Sequence, residues 1–456
     1  MPGVNQKTVT PIEVINAPKL RSVTHTSITS PSTSSSSMNN SVPISAYIIE
    51  WMDGTKDTYS EEFWNTHPLS SFHIKETIHH ASPIFLGPEI NPSFTSTSTL
   101  SSSSVSSGSS SSLYLPPKRI PPNTSSLASN FQPHNPPLNK SSIPQFDYNS
   151  ILKDDYLLYQ SLQMINNYGI IILNNATTKE NIVTEAASRL AYAPMRTIYG
   201  LTWDVAVTPQ PINIAYAPGP LDFHVDLVYY ESPPGLQLLH CRIFDKNVQG
   251  GESTFVDGFY AAEVLRKRNP EAFRTLTRLP ATFEKIHYNR PEPVHMRSTR
   301  PHITTRPSPA QSLLSTNTTS KDDDIITGIF WAPPFEGPVM LHPDDMTAYY
   351  SAYSEFANVL ADIEQDGKML IQYRSEPGEI VVFNNRRILH GRRNFTTPAT
   401  LPSSSNSLRT PEEIGGRRVL QGCYINADDW KSRLNYLHNK YQSKDTIKRV
   451  GNQDII

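Results

Sequence analysis

Cysteine is almost missing from this chain, and its scarcity removes several architectures at once. The 456 residues contain two, Cys241 and Cys423, too few for a disulfide framework or a cysteine-built zinc site, which favours a reducing compartment. Long apolar runs are lacking as well. No stretch approaches the roughly 20 residues that span a bilayer, so the sequence predicts a soluble protein without a membrane partner. Neither sign of charge dominates, with 40 Lys and Arg against 42 Asp and Glu and a net charge of -2. That balance supplies no general attraction for nucleic acid. What the chain does have is 37% hydrophobic residues over a length sufficient for a large core, interrupted by segments that cannot join one.

Those segments set the expected domain boundaries. Residues 1–44 read as a Ser/Thr-rich tail, disordered or targeting, in which Lys7, Lys19 and Arg21 stand against one acid, Glu13. Residues 45–90 read as a small β-rich N-terminal module, with Ser45 to Trp51 alternating like a strand and Asp53-Gly54 as a turn. Residues 91–145 are a Ser/Pro-rich linker, too poor in apolar groups to pack. The main domain covers 146–445 and carries low-complexity insertions at 298–324 and 396–407, expected as surface loops. Within it, Asp154 to Tyr168 has a helical pattern leading into the strand Gly169 to Leu173. Thr177-x-x-Glu180 reads as a capping box for a helix with Ile182, Ala186 and Leu190 on one stripe. Asp344 reads as the cap of a helix with an aromatic stripe, and a last helix begins after Asp428 and buries Trp430, Leu434 and Leu437. Many short strands bounded by Pro and Gly lie between. The class is α+β, mainly β, and a jelly roll (double-stranded β-helix) with flanking helices accounts for it, because opposed sheets bring sequence-distant strand ends to one mouth.

Phe223-His224-Val225-Asp226-Leu227 carries the most chemical information. Residues i and i+2 of an extended strand point to one side, so His224 and Asp226 can grip a single ion, with a third ligand from His390 in Leu389-His390-Gly391. Two imidazoles and one carboxylate leave half of an octahedral metal open, a face suited to non-haem ferrous oxygen chemistry. His-x-Asp alone is weak evidence, the bland alternative being a surface turn. The surroundings strengthen it: Pro233-Pro234-Gly235 precedes the apolar run Leu236 to Cys241, and Pro377-Gly378 precedes the β-branched run Glu379 to Phe383, which places both ligand sets at strand ends. His240 reads as a hydrogen-bonded core residue, and His79-His80 has no further ligands nearby. Arg386-Arg387 and Arg392-Arg393 read as salt-bridge partners or as an attraction for an acidic co-substrate.

Taken together, Phe223 to Leu227, Pro233 to Cys241, Gly250 to Phe259 (GGESTFVDGF), Leu389 to Arg393 (LHGRR) and Asp428 to Arg433 (DDWKSR) resemble the γ-butyrobetaine and trimethyllysine dioxygenase group of 2-oxoglutarate-dependent iron oxygenases, from about Tyr148 to Tyr441. The resemblance implies a double-stranded β-helix with His224, Asp226 and His390 as Fe(II) ligands. It implies that Arg418 binds the distal carboxylate of 2-oxoglutarate, a role suited to a planar guanidinium, and that Ser253 offers that co-substrate a hydroxyl. Tyr199, Trp203, Tyr216 and Tyr424 match the aromatic box around a trimethylammonium group, where ring faces attract a cation that cannot donate hydrogen bonds. Asn213 matches an asparagine that orients the substrate carboxylate. Pairing as a homodimer is implied too.

Three departures stand out. Phe330-Trp331-Ala332-Pro333-Pro334 replaces a polar pair of the family, an insertion after Phe395 lengthens the gap between His390 and Arg418, and no cysteine precedes Cys241, so the family's zinc site is not carried over. The expected function is Fe(II)- and 2-oxoglutarate-dependent hydroxylation of a small trimethylammonium substrate, as in carnitine biosynthesis, in the mitochondrion or cytoplasm. The alternatives are the same chemistry on another small substrate, or a metal-binding scaffold whose catalysis has decayed.

Overall fold

The computed structural model describes residues 20–29, 43–51, 56–60, 138–206, 219–307, 324–396 and 417–441. Two compact units divide the chain. In the first, β1 (Leu20–Thr29), β2 (Pro43–Trp51) and β3 (Lys56–Ser60) form an antiparallel sheet. Strand β1 corrects the reading of residues 1–44 as a tail. Leu20 to Thr29 (LRSVTHTSIT) is rich in β-branched Thr, Val and Ile, which suit a pleated strand as well as they suit a polar tail.

The described residues of the second unit begin at Leu138, inside the stretch assigned to the linker: Leu138 and Ile143 are buried around a short 3-10 turn at Lys140–Ser142. There follow β4 (Gln145–Asp147), α1 (Tyr148–Lys153), α2 (Asp155–Tyr168), β5 (Ile170–Asn174), α3 (Ile182–Ala191), β6 (Trp203–Val205), β7 (Leu221–His224), β8 (Leu236–Phe244), β9 (Gln249–Gly250), β10 (Ser253–Asp257), α4 (Gly258–Arg268) and α5 (Pro270–Arg278). Next come β11 (Pro280–His287), β12 (Val294–Pro301), β13 (Ile303–Arg306), β14 (Ile325–Ile329), α6 (Pro343–Asp366), β15 (Leu370–Tyr373), β16 (Ile380–Asn384), β17 (Ile388–Arg392), β18 (Phe395–Thr396), β19 (Arg418–Ile425) and α7 (Ala427–Tyr441).

Two sheets dominate, ordered β4-β5-β16-β8-β19-β6 and β15-β10-β17-β7. All neighbours within them are antiparallel except β4 and β5. Alternation along the larger sheet explains its near-continuous apolar strands. Ile170 and Ile172 of β5, with Val381 and Phe383 of β16, enter one core; Ile171 and Leu173, with Ile380 and Val382, enter a second. The second core is completed by α1, α2, α3 and α7, whereas the first is shared with the smaller sheet and with α4, α5 and α6. Phe255 of β10 meets Phe383 of β16 edge to face at 5.4 Å, so the two sheets oppose one another.

Local signals worked unevenly. Asp154 caps α2, accepting the N–H groups of Tyr156 at 2.7 Å and Leu157 at 3.3 Å. The capping box at Thr177 does not form. Helix α3 begins after Asn181, whose side chain makes no capping bond, and Glu180 instead pairs with Arg242 at 2.8 Å. The aromatic helix starts at Pro343 with His342 as its cap, not at Asp344. The insertion assigned to 298–324 is partly strand: β12 and β13 occupy Val294–Pro301 and Ile303–Arg306, because Ser-Thr-Arg alternation there serves a half-buried hairpin. Residues 308–323 and 397–416 lie outside the described residues.

Candidate active site

His224 and His390 face each other as register partners on β7 and β17. Directly opposed residues of paired strands project to the same face, and the ring centroids are 4.3 Å apart. Neither the strand-end reading nor the shared-strand reading holds for the whole set. His390 sits in the middle of β17, after the turn at residues 385–387, and β7 ends at His224, so Asp226 lies in the turn that follows. Leu227 there has a positive φ of 58°. Backbone bonds replace strand pairing as the constraint: Val225 N–H donates to the Trp331 carbonyl at 2.8 Å, and Asn385 clamps Asp226 from both sides. Its Oδ1 accepts the Asp226 N–H and its Nδ2 donates to the Asp226 carbonyl, each at 2.9 Å.

Nε2 of His224 lies 3.5 Å from one Asp226 oxygen, and Nε2 of His390 lies 3.8 Å from the other. Among the described residues these three form the one group of potential metal ligands, their donor atoms lying within 4.8 Å of one another. Adjacent ligands of a metal bound at about 2.1 Å stand about 3 Å apart, so a small contraction seats an ion. The protonation pattern fits. Nδ1–H of His224 donates to the Asp222 carbonyl at 2.8 Å, which directs Nε2 inward. Burial, with the neighbouring His224, pushes His390 down to about 3 and keeps it neutral. Burial opposes charge on Asp226, but His224, His390 and a hydrogen bond from Tyr424 outweigh it and hold the carboxyl below its usual range. The same carboxylate overcomes burial and raises His224.

A cavity of about 160 Å³ opens onto this cluster. Arg418, at the start of β19, is 5% exposed and lines it, with Nε donating to the Gly251 carbonyl at 3.2 Å. Gly251 permits that approach: its φ is +78°, and a Cβ would stand 3.2 Å from both Cδ and Nε of Arg418. Burial, with Arg392 nearby, pushes Arg418 down to about 9, still protonated at neutral pH. Ser253, on β10, is buried on the same wall.

Aromatic rings run around the rest of the cavity. Tyr424 donates to Asp226 at 2.8 Å and stacks on Trp203 with centroids 4.1 Å apart and 20° between planes. Trp203 neighbours Tyr199 at 6.5 Å, the hydroxyls of Tyr199 and Tyr229 are 3.4 Å apart, and Tyr229 meets Phe335 edge to face at 5.3 Å. Tyr199, Trp203 and Tyr424 therefore come together along one cavity. Asn213 and Tyr216 lie outside the described residues.

Several lining residues escaped sequence reasoning. Tyr229 and Phe335 carried no motif signal, and Pro333 and Pro334 were noted only as a departure. Gln237, 2% exposed, reaches the cavity with its Oε1 lacking a protein partner; its place one residue before Leu238 in an alternating strand marked it as facing the other way from that core residue. The arginines divide. Arg387 pairs fully buried with Asp257 at 2.6 Å, Arg386 donates to the Pro233 carbonyl, Arg393 pairs with Glu364, and Arg392 lines the cavity. His240 is buried, and His79-His80 lies outside the described residues.

Comparison with known proteins matches this arrangement. Gamma-butyrobetaine dioxygenase of Homo sapiens is 28% identical over 301 residues, covering 66% of this chain and 68% of that protein. Dioxygenase str8 of Strobilurus tenacellus is 30% identical over 290 residues, 60% of each chain. The mitochondrial trimethyllysine dioxygenase of Mus musculus is 27% identical over 290 residues, 64% of this chain and 60% of that one. The family model for taurine catabolism dioxygenase TauD, TfdA family, matches residues 130–409, a span that holds both ligand-bearing strands and ends before Arg418. Matched over more than half its length, with three convergent side chains that could hold a metal inside that span, the chain belongs to the TauD/TfdA dioxygenase family.

Proposed function

We propose that this protein is an Fe(II)- and 2-oxoglutarate-dependent dioxygenase, built on a double-stranded β-helix, that hydroxylates a small trimethylammonium compound of the γ-butyrobetaine or trimethyllysine kind. The observation that carries the reading is the convergence of His224, Asp226 and His390 on one cavity wall beside the buried guanidinium of Arg418. His224, Asp226 and His390 hold the iron. When bound, iron and 2-oxoglutarate supply oxidation by dioxygen coupled to decarboxylation of the co-substrate to succinate and carbon dioxide.

The chain's own residues bind, orient and exclude water. Arg418 and Arg392 place two guanidiniums in the same cavity, so a dicarboxylate relieves their mutual repulsion, and the forked geometry of Arg418 suits its distal carboxylate. Ser253 offers that anion a hydroxyl. Asp222 O fixes the His224 tautomer, Asn385 fixes the Asp226 backbone, and Tyr424 satisfies the carboxylate oxygen nearest His390. Tyr199 and Trp203, with Tyr216 and Asn213 as implied by the resemblance, take the cationic substrate; ring faces are worth about 2 kcal/mol or more to a desolvated cation. Holding the substrate at that end determines which carbon faces the iron.

Pro333, Pro334 and Phe335 favour a second reading, in which the same chemistry acts on another small substrate. Pro333 and Pro334 belong to the stretch where the family commonly carries a polar pair, and with Phe335 beside them they present an apolar wall. The two free, buried cysteines support a reducing compartment, mitochondrial or cytoplasmic, and no helix among the described residues is long and apolar enough to cross a membrane. A homodimer belongs to the same proposal. Succinate release from 2-oxoglutarate, screened with γ-butyrobetaine, trimethyllysine and close analogues against an iron-free control, tests the reading. Stimulation by a trimethylammonium compound is expected. Iron-dependent turnover stimulated solely by compounds without that group transfers the assignment to the second reading, and absence of iron and 2-oxoglutarate binding overturns both.

A further inference from the structure

Trp203 stands half-buried on an edge strand, with its indole lying flat along the sheet. The cause is its register partner. Strand β6 pairs with β19 so that Trp203 is opposite Gly422, and a Cβ built on Gly422 would stand 2.4 Å from Cζ2, 2.5 Å from Cε2 and 3.0 Å from Cη2 of the indole. The ring occupies the space that any other side chain would fill. Carbon atoms in contact sit about 3.5–4.0 Å apart, so a methyl group at this position displaces the ring by roughly 1 Å or more. The backbone does not itself demand glycine, because Gly422 is absent from the positive-φ residues and lies within a regular strand. Only the indole does.

Tyr424 is two residues further along β19 and so projects to the same face as Gly422. Sheet geometry alone thus sets the indole down over Gly422 and against the Tyr424 ring, whose hydroxyl in turn holds Asp226. We infer that Gly422 is a positioning residue for substrate recognition: its missing side chain is the bed that fixes Trp203 as a wall of the cation pocket. The kinetic part of this inference rests on the proposed trimethylammonium substrate, and its spectroscopic part does not.

The test uses the full chain, loaded with iron, as Gly422→Ala, Trp203→Ala and the double variant beside the unmodified protein. Near-ultraviolet circular dichroism reads the Trp203–Tyr424 stack without any ligand. Gly422→Ala is expected to lose the same portion of that signal as Trp203→Ala does. With γ-butyrobetaine and trimethyllysine as probes, KM for the trimethylammonium compound is expected to rise on the order of tenfold in Gly422→Ala, with KM for 2-oxoglutarate unchanged and nothing further lost when Gly422→Ala is added to Trp203→Ala. Should Gly422→Ala fail to fold, the double variant, which lacks the colliding ring, is expected to melt with Trp203→Ala. An unchanged spectrum in Gly422→Ala overturns the inference, and so does a loss that persists undiminished without Trp203, or a double variant that remains unfolded while Trp203→Ala folds. If the unmodified protein turns over neither probe, the proposed substrate fails while the dichroism still decides the role of Gly422.

Discussion

On the metal-binding wall of the cavity, His224 and His390 oppose each other from paired strands, and Asn385 clamps the intervening carboxylate by its backbone. On the aromatic wall, Trp203 comes from an edge strand and Tyr199 from a turn, and they are placed by ring stacking, a missing Cβ and a loop that carries Phe335. The first wall is fixed by hydrogen-bonded register, in which a one-residue slip would turn every side chain to the other face. The second shares strand register only at Trp203 and Tyr424 and depends elsewhere on side-chain contacts, each worth about 1 kcal/mol. A chemistry that tolerates no misplacement sits on the rigid wall. The substrate choice proposed above sits on the adjustable one.

Breaking the rigid wall produces the largest effect. Asp226→Ala removes the carboxylate that joins the two imidazoles, and iron-dependent succinate formation is expected to fall to the iron-free background; a variant that keeps about a tenth of the turnover would contradict the assigned triad. Asn385→Ala leaves every ligand in place and loosens only the turn holding one of them. A loss of about 10–100-fold in iron affinity or turnover is expected, as for other residues that orient metal ligands, and an iron titration indistinguishable from that of the unmodified protein would show that register alone suffices.

The adjustable wall should answer in binding more than in turnover. Trp203→Ala is expected to raise KM for a trimethylammonium substrate on the order of tenfold, with a much smaller change in kcat at saturation. Equal loss in both would move Trp203 from recognition to chemistry. The smallest effect concerns the support beneath the Phe335 loop. His302 is fully buried; its Nδ1–H donates to the Phe330 carbonyl and its Nε2 accepts from the Tyr349 hydroxyl, each at 2.9 Å. Burial pushes its pKa down to about 4. An unfolded histidine takes up its proton near pH 6.5 while the folded one resists until about pH 4, so the unfolded state binds more protons in between and stability falls as pH drops through that window. The share of His302 is at most about 3 kcal/mol. Urea melts at pH 7 and pH 4.5 should show a shallower loss in His302→Asn than in the unmodified protein; parallel losses would assign the acid sensitivity elsewhere.

The rigid wall was far more legible in the sequence than the adjustable one. His224, Asp226 and His390 stand in short motifs flanked by Pro-Gly turns and β-branched runs, and those local signals survive folding because hydrogen-bonded strands obey period two. Even so, the local geometry was misread: Asp226 belongs to a turn, and Asn385 is the clamp that holds it there. Tyr229 and Phe335 left no local trace, because a ring that lines a cavity and a ring that fills a core are the same residue type at the same spacing. The failed capping box at Thr177 has a similar origin. Glu180 found Arg242 on a neighbouring strand, and a tertiary ion pair displaced a local bond of comparable strength.

The sequence by itself determined which side chains could hold iron and where the apolar strands run, and through the family resemblance it marked Arg418 as the candidate co-substrate arginine. Tertiary structure alone decided that β7 pairs with β17 in the register that opposes two histidines, that two arginines share one pocket, and that Trp203 lies over Gly422. The division follows from the range of the forces: strand period and turn preference act over a few residues, whereas register between remote strands is chosen by the burial of both sheet faces at once.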